Sequence, residues 1–290
     1  VKTRYSLHKI YQRDNCPFCE EEYSRFKFGD ISVAEKFGKE LFNGFIHEYG
    51  DLVLSQLEIV LFPSPYYAIP TASNFLCRYF KEMLNQFLFE NNRKACIEGK
   101  IHRNQTYIQD YGNMDFKQRL SLISNDTYYI DKNFIQDKFC LFLDDIKITG
   151  SHERTVDKIL AQFNVAGTFV FIYYAELMND RMHPNIENHY NYFAVKTIQD
   201  IIKLLNNKSF QFNTRVVKYI LLLDEVGFNY IMQHISSTQQ GRLLNLAISN
   251  NYHQIKEYQS NIKNLKNKIW LSTYKKGKER ASVLQSLPLD

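Results

Sequence analysis

Apolar residues recur at helical spacing between positions 34 and 49, where Ala34, Phe37, Gly38, Leu41, Phe42, Phe45, Ile46 and Tyr49 share one face. A polar stretch precedes them, so residues 1–50 read as a polar start and one amphipathic helix. That region is either a cap or the first layer of the main domain. From 51 to 195 strand-like and helical signals alternate, which predicts an α/β domain with a largely parallel sheet flanked by helices. A buried strand is expected over 57–62, then the turn "PSPYYAIP", then a helix with Ala72, Phe75, Leu76, Tyr79, Phe80, Met83, Leu84 and Phe87 on one side. A second unit comes after it: a strand over 139–143, a loop, a helix that turns Val156, Ile159, Leu160 and Phe163 inward, and a strand over 168–174. That order describes a β-α-β crossover.

After residue 195 the strand signal stops, and "IQDIIKLL", "NTRVVKYILLL", "NYIMQHI" and "GRLLNLAI" predict a helical C-terminal region over 196–290. Ser236, Ser237 and Thr238 offer capping hydroxyls between two of its helices, and Gly227 offers a helix stop.

Composition narrows the class. The 290 residues are 44% hydrophobic, enough for a substantial core. The longest apolar runs fall far short of the roughly 20 residues that span a bilayer. No N-terminal stretch has the form of a signal peptide, and five scattered cysteines are not a disulfide framework, so a cytoplasmic protein is expected. The net charge of +5 does not call for nucleic acid, and the aromatic residues sit at core spacing rather than between basic ones. Cys16-Pro17-Phe18-Cys19 has the form of a redox pair or of half a zinc site, but no second CxxC completes either; incidental cysteines are the third reading.

The chemistry concentrates in "CLFLDDIKITGSHERTV". In parallel α/β sheets ligands bind beyond the carboxyl ends of the strands, and Asp144-Asp145 falls at such an end. Adjacent carboxylates repel unless a metal, a cation or hydroxyl donors share their field. Thr149, Gly150 and Ser151 then supply hydroxyls, a flexible backbone and the N–H groups of a helix start, which together form an anion cradle. An acid pair followed by a phosphate cradle suits one ligand with a diol end and a phosphate end.

These residues resemble the 5-phosphoribosyl-1-pyrophosphate signature of type I phosphoribosyltransferases. The resemblance implies that Asp144 and Asp145 address the ribose hydroxyls, directly or through Mg²⁺, while Ile148, Thr149, Gly150, Ser151 and His152 wrap the 5-phosphate. Two positions depart from the pattern: Ile148 stands where purine-salvage members carry an Asp, and His152 where a Thr is frequent. "IVLFPSPYYAIP" is similar to the family's pyrophosphate loop, with Ser64, Tyr66 and Tyr67 as donors. "GKIHRNQTYIQDYGNMDFKQRL" resembles the mobile loop of competence-type members, with Lys100, Arg103 and Arg119 as pyrophosphate cations. The long core with its helical extension also resembles the phosphoribosyltransferases found with bacterial tellurium-resistance genes.

The resemblance implies a Mg²⁺-dependent transfer of a phosphoribosyl group to a nitrogen acceptor, with Asp144, Asp145 and Arg103 at the reacting centre. The competing reading is a non-catalytic regulator that senses the same ligand on the same fold. Family members are often dimers, for which the aromatic N-terminal helix offers a face. Other chemistries lack their residues: Ile146 breaks an Asp-x-Asp, and neither a Gly-x-Gly-x-x-Gly nor a nucleophile elbow occurs.

Overall fold

The computed structural model describes residues 2–103 and 128–285. It divides into two compact units, Val1–Arg215 and Val216–Asp290. In the first, strands β1 (Lys2–Ile10), β2 (Ile59–Pro63), β3 (Ile97–Glu98), β6 (Phe139–Lys147) and β7 (Thr168–Leu177) form a five-stranded sheet in the order β1-β7-β6-β2-β3, parallel throughout. Two short strands, β4 (His102–Arg103) and β5 (Tyr128–Tyr129), pair antiparallel in a sheet of their own. Among the described residues the helices of this unit are α1 (Glu20–Lys27), α2 (Ile31–Leu54), α3 (Ala72–Glu90), α4 (Lys132–Ile135), α5 (Ser151–Gln162), α6 (Ile186–Asn191) and α7 (Ile198–Leu205).

Burial on both faces explains the near-continuous apolar runs of β2, β6 and β7. On one face Phe62, Phe142 and Phe171 stand in register on three neighbouring strands and stack at centroid distances of 4.9 and 5.3 Å, covered by Val156, Ile159 and Leu160 of α5. On the other, Leu61, Leu141, Leu143 and Ile172 meet α2 and α3. The aromatic face of α2 is consumed here, with Phe37 stacked on Tyr174 at 4.2 Å, so it is core and not a free surface.

Several bounds differ from those the pattern predicts. Leu57 is 86% exposed and β2 starts two residues later. The polar start contains β1 and α1. β1 is an edge strand that buries only Tyr5 and Ile10 and turns Arg4 and Ser6 to a carboxylate, so its apolar alternation is faint. Residues 196–215 cluster with the sheet: Ile31 N–H donates to the Ser209 carbonyl at 2.9 Å and Gln211 N–H to the Gly29 carbonyl at 2.9 Å.

In the second unit the described residues form only helices. α8 (Thr214–Leu222) runs into it from the end of the first, followed by α9 (Glu225–His234), α10 (Ser237–Ser249), a 3-10 turn (Tyr252–Gln254) and α11 (Lys256–Gln285). Ser236 is the N-cap of α10, its hydroxyl accepting from Gln239 N–H at 3.2 Å while the Gln239 side chain accepts from Ser236 N–H at 2.9 Å. Gly227 is not a stop: it lies in the first turn of α9, where its N–H donates to the capping Asp224 carboxylate at 2.8 Å. Asn261 donates to the Leu221 and Leu223 carbonyls at 3.0 and 2.8 Å, satisfying the end of α8.

Candidate functional site

The site forms where β6 outlasts its neighbour. β2 ends at Pro63, paired with Leu143, whereas β6 continues to Lys147 against β7. Asp144 and Asp145 therefore lie beyond the carboxyl end of β2 but still within β6, and strand alternation sends their side chains to opposite faces of the sheet. That separation is how two adjacent carboxylates are accommodated.

Asp144 faces the loop side. Its Oδ1 accepts from the Ser64 hydroxyl at 2.6 Å and from the Asp145 N–H at 2.9 Å. The His152 Nδ1 comes within 3.3 Å of Asp144 Oδ2, yet neither imidazole nitrogen makes a hydrogen bond to the described residues. Burial, with the Asp145 charge next to it, pushes the Asp144 carboxyl above the usual carboxylate range, against the pull of His152 and Ser64.

Asp145 turns the other way and is enclosed. Its Oδ2 accepts from Lys27 Nζ at 2.5 Å and from the Tyr23 hydroxyl at 2.6 Å, both on α1. Burial disfavours the Asp145 charge, but Lys27 and the two hydrogen bonds outweigh it and hold the carboxyl below its ordinary value. Burial, and then the Asp145 charge, keep Tyr23 protonated by raising its phenol well above the ordinary value.

After β6 the chain turns through Ile148 and Thr149 into α5. Gly150 is the N-cap with φ 68° and ψ 20°, a left-handed conformation that brings the first N–H groups of α5 around the turn. The Thr149 and Ser151 hydroxyls lie 2.7 Å apart, and Arg154 donates to the Thr149 carbonyl. Ile148, Thr149, Gly150, Ser151 and His152 thus form one turn beside Asp144. A Cβ on Gly150 would lie 3.3 Å from Lys147 Cε. Gly150→Val is expected to lower stability by about 1–2 kcal/mol through the left-handed backbone alone, read as a fall in the thermal midpoint.

A model of the ComF-like phosphoribosyltransferase (PRTase) family matches residues 1–265. The chain belongs to this family. Among curated proteins none matches it. Membership agrees with the parallel sheet and its flanking helices and supports a phosphoribosyltransferase-type function acting on a small phosphoribosyl compound. No described helix is long and apolar enough to cross a membrane.

Within this phosphoribosyltransferase fold the β2 loop lies against the acid-bearing strand. Ser64 bridges to Asp144, and its carbonyl accepts from the Asn74 amide of α3 at 3.0 Å. Tyr66 and Tyr67 follow in the same turn, and Lys100 Nζ sits 4.9 Å from the Tyr66 ring centroid, so the β2 loop and the Lys100 segment meet. Arg103 has its backbone in β4, paired with Tyr128. Arg119 lies outside the described residues.

Three cations near this edge carry no signal in the sequence. Lys27 lies in "EEEYSRFKF", which has no site pattern of its own. Lys147 lies between the acid pair and the turn and donates to Glu176 at 2.8 Å; Arg4 also reaches Glu176, at 3.1 Å. Burial opposes the Glu176 charge, but Lys147, Ser6 and Arg4 hold its carboxyl low. The CxxC gains no catalytic support: burial pushes the Cys16 thiol up to about 11, away from thiolate, and among the described residues no group of three or more His, Cys, Asp or Glu is arranged around a metal.

Proposed function

We propose that this protein transfers a 5-phosphoribosyl group from 5-phosphoribosyl-1-pyrophosphate to a nitrogen acceptor, or runs the reverse reaction, with Mg²⁺. The observation that carries the reading is the arrangement at the end of β6: Asp144, held by Ser64, stands beside a turn whose left-handed Gly150 opens α5. A ribose diol fits the carboxylate and a 5-phosphate fits the turn, since N–H groups and hydroxyls bind phosphate oxygens without needing a compact cation.

The oxygen-rich donor set suits a hard divalent ion. With no ring of carboxylates among the described residues to enclose it, Mg²⁺ would be held by Asp144 together with substrate oxygens and water, and when bound it neutralises charge on the leaving pyrophosphate. The chain's own groups do the positioning. Thr149, Gly150, Ser151 and His152 fix the phosphate, and Asp144 fixes the ribose hydroxyls near the carbon that gains positive charge. The backbone of Tyr66 and Tyr67, with Lys100 and Arg103, provides donors and cations for pyrophosphate.

Calorimetric titration with 5-phosphoribosyl-1-pyrophosphate, with and without Mg²⁺, tests this. Metal-dependent binding with a dissociation constant between about 1 μM and 1 mM is expected, followed by pyrophosphate release in an acceptor screen. Binding without turnover against any amine or nucleobase would favour the sensor reading. Absence of binding with the metal present would sink both.

A further inference from the structure

We propose that the two carboxylates have different roles: Asp144 alone meets the ligand, while Lys27 and Tyr23 act as positioning residues that hold Asp145 away from it. This rests on the phosphoribosyl reading of the site and assigns roles within it to a helix outside the β6 turn.

The faces differ first. Asp144 shares its side of the sheet with Ser64, His152 and the Gly150 turn, and its side chain keeps 18% of its exposure. Asp145 faces α1, keeps 7%, and one of its oxygens takes both a cation and a phenol. Reaching a ligand beside Asp144 would require Asp145 to break two short charge-assisted hydrogen bonds and to leave Lys27 buried without its counter-ion.

The donors are themselves fixed. Between Tyr23 and Lys27 on α1, the Ser24 hydroxyl donates to the Asn191 carbonyl at 2.9 Å and accepts from Ala194 and Val195 N–H at 3.1 and 3.3 Å. The Lys27 carbonyl accepts from the buried Asn213 amide at 3.0 Å. α1 is thus tied at both ends of the stretch that grips Asp145, so the grip is part of the rigid frame.

Charge supplies the reason. A ligand with a phosphate and a pyrophosphate is repelled by every free carboxylate nearby. Lys27 removes one of the two at this edge, and Asp144 is left as the single acid of the pair able to accept ribose hydroxyls.

The test compares Asp144→Asn, Asp145→Asn, Tyr23→Phe and the neutral pair Lys27→Gln/Asp145→Asn in the full chain. Titration with 5-phosphoribosyl-1-pyrophosphate and Mg²⁺ should show a loss of about a hundredfold or more in Asp144→Asn, whereas the neutral pair stays within about threefold of wild type. A folded neutral pair that loses affinity as fully as Asp144→Asn would overturn the proposal. The second readout needs no ligand: amine coupling with a water-soluble carbodiimide, mapped by mass spectrometry, should modify Asp144 ahead of Asp145 in the wild type, with Tyr23→Phe bringing Asp145 towards the rate of Asp144. A wild-type chain that fails to bind the ligand would remove the phosphoribosyl reading and leave the asymmetry to be decided by this labelling. Carboxyls modified at the same rate in the wild type, or an Asp145 unmoved by Tyr23→Phe, would overturn the roles given to Tyr23 and Lys27.

Discussion

Lys27→Met should lower the unfolding free energy by about 3–5 kcal/mol at neutral pH, because it leaves Asp145 buried beside Tyr23 with no cation. For a unit of this size that corresponds to roughly 10 °C in the thermal midpoint. The loss should depend on pH in a defined direction. In the wild type the Asp145 carboxyl is lower in the folded chain than in the unfolded one, so its stabilisation is full above the ordinary carboxylate range and disappears as pH falls through the folded value. In the variant, burial without a cation raises the same carboxyl, and its penalty is relieved as pH falls and the group is protonated. The two stability curves should therefore converge in acid and separate towards neutrality. Apolar replacement of both partners, Lys27→Met with Asp145→Leu, should recover most of the loss, since paired removal leaves no buried charge behind. A single variant within about 0.5 kcal/mol of wild type across this range would mean that water reaches Asp145 and that the pair is not the anchor its geometry describes.

The parts of this molecule that were legible in the sequence are those where one residue pattern has one structural meaning. The runs of β2, β6 and β7 are apolar because both sheet faces are covered, and α2, α3 and α5 show single apolar stripes because each covers one face. The turn after β6 was legible too, because Thr, Gly and Ser in that order combine a helix start with a left-handed cap, although β6 runs on to Lys147 where the pattern ends the strand at 143. β1 was not, since an edge strand whose outer residues form ion pairs carries almost no apolar period. The division between Asp144 and Asp145 was hidden for another reason. Adjacency in sequence suggests a shared site, whereas the extended backbone that carries both points them apart, and the partners of Asp145 come from more than a hundred residues upstream. No local pattern announces a contact of that span.

Asp144→Asn should separate activity from stability. On the activity side, under the proposed phosphoribosyl transfer, a carboxylate that accepts ribose hydroxyls contributes about 1.5–3 kcal/mol for each charge-assisted hydrogen bond, so the variant is expected to lose at least about a hundredfold in kcat/KM. On the stability side the expected change is zero or favourable. The Asp144 carboxyl lies higher in the folded chain than in the unfolded one, because burial and the neighbouring Asp145 oppose its charge. A raised carboxyl supports the fold while it is protonated and loses that support as pH rises through its folded value, so at neutral pH the ionised group is a burden to the fold. Asparagine carries no charge, and its amide oxygen can still accept from Ser64 and from the Asp145 N–H. The thermal midpoint should therefore match or exceed that of the wild type at pH 7, with the advantage shrinking in acid. Such an opposition marks a residue retained for ligand chemistry at the expense of folding free energy. A variant that unfolds earlier than wild type at pH 7 while keeping its turnover would reverse both halves and make Asp144 a structural acid.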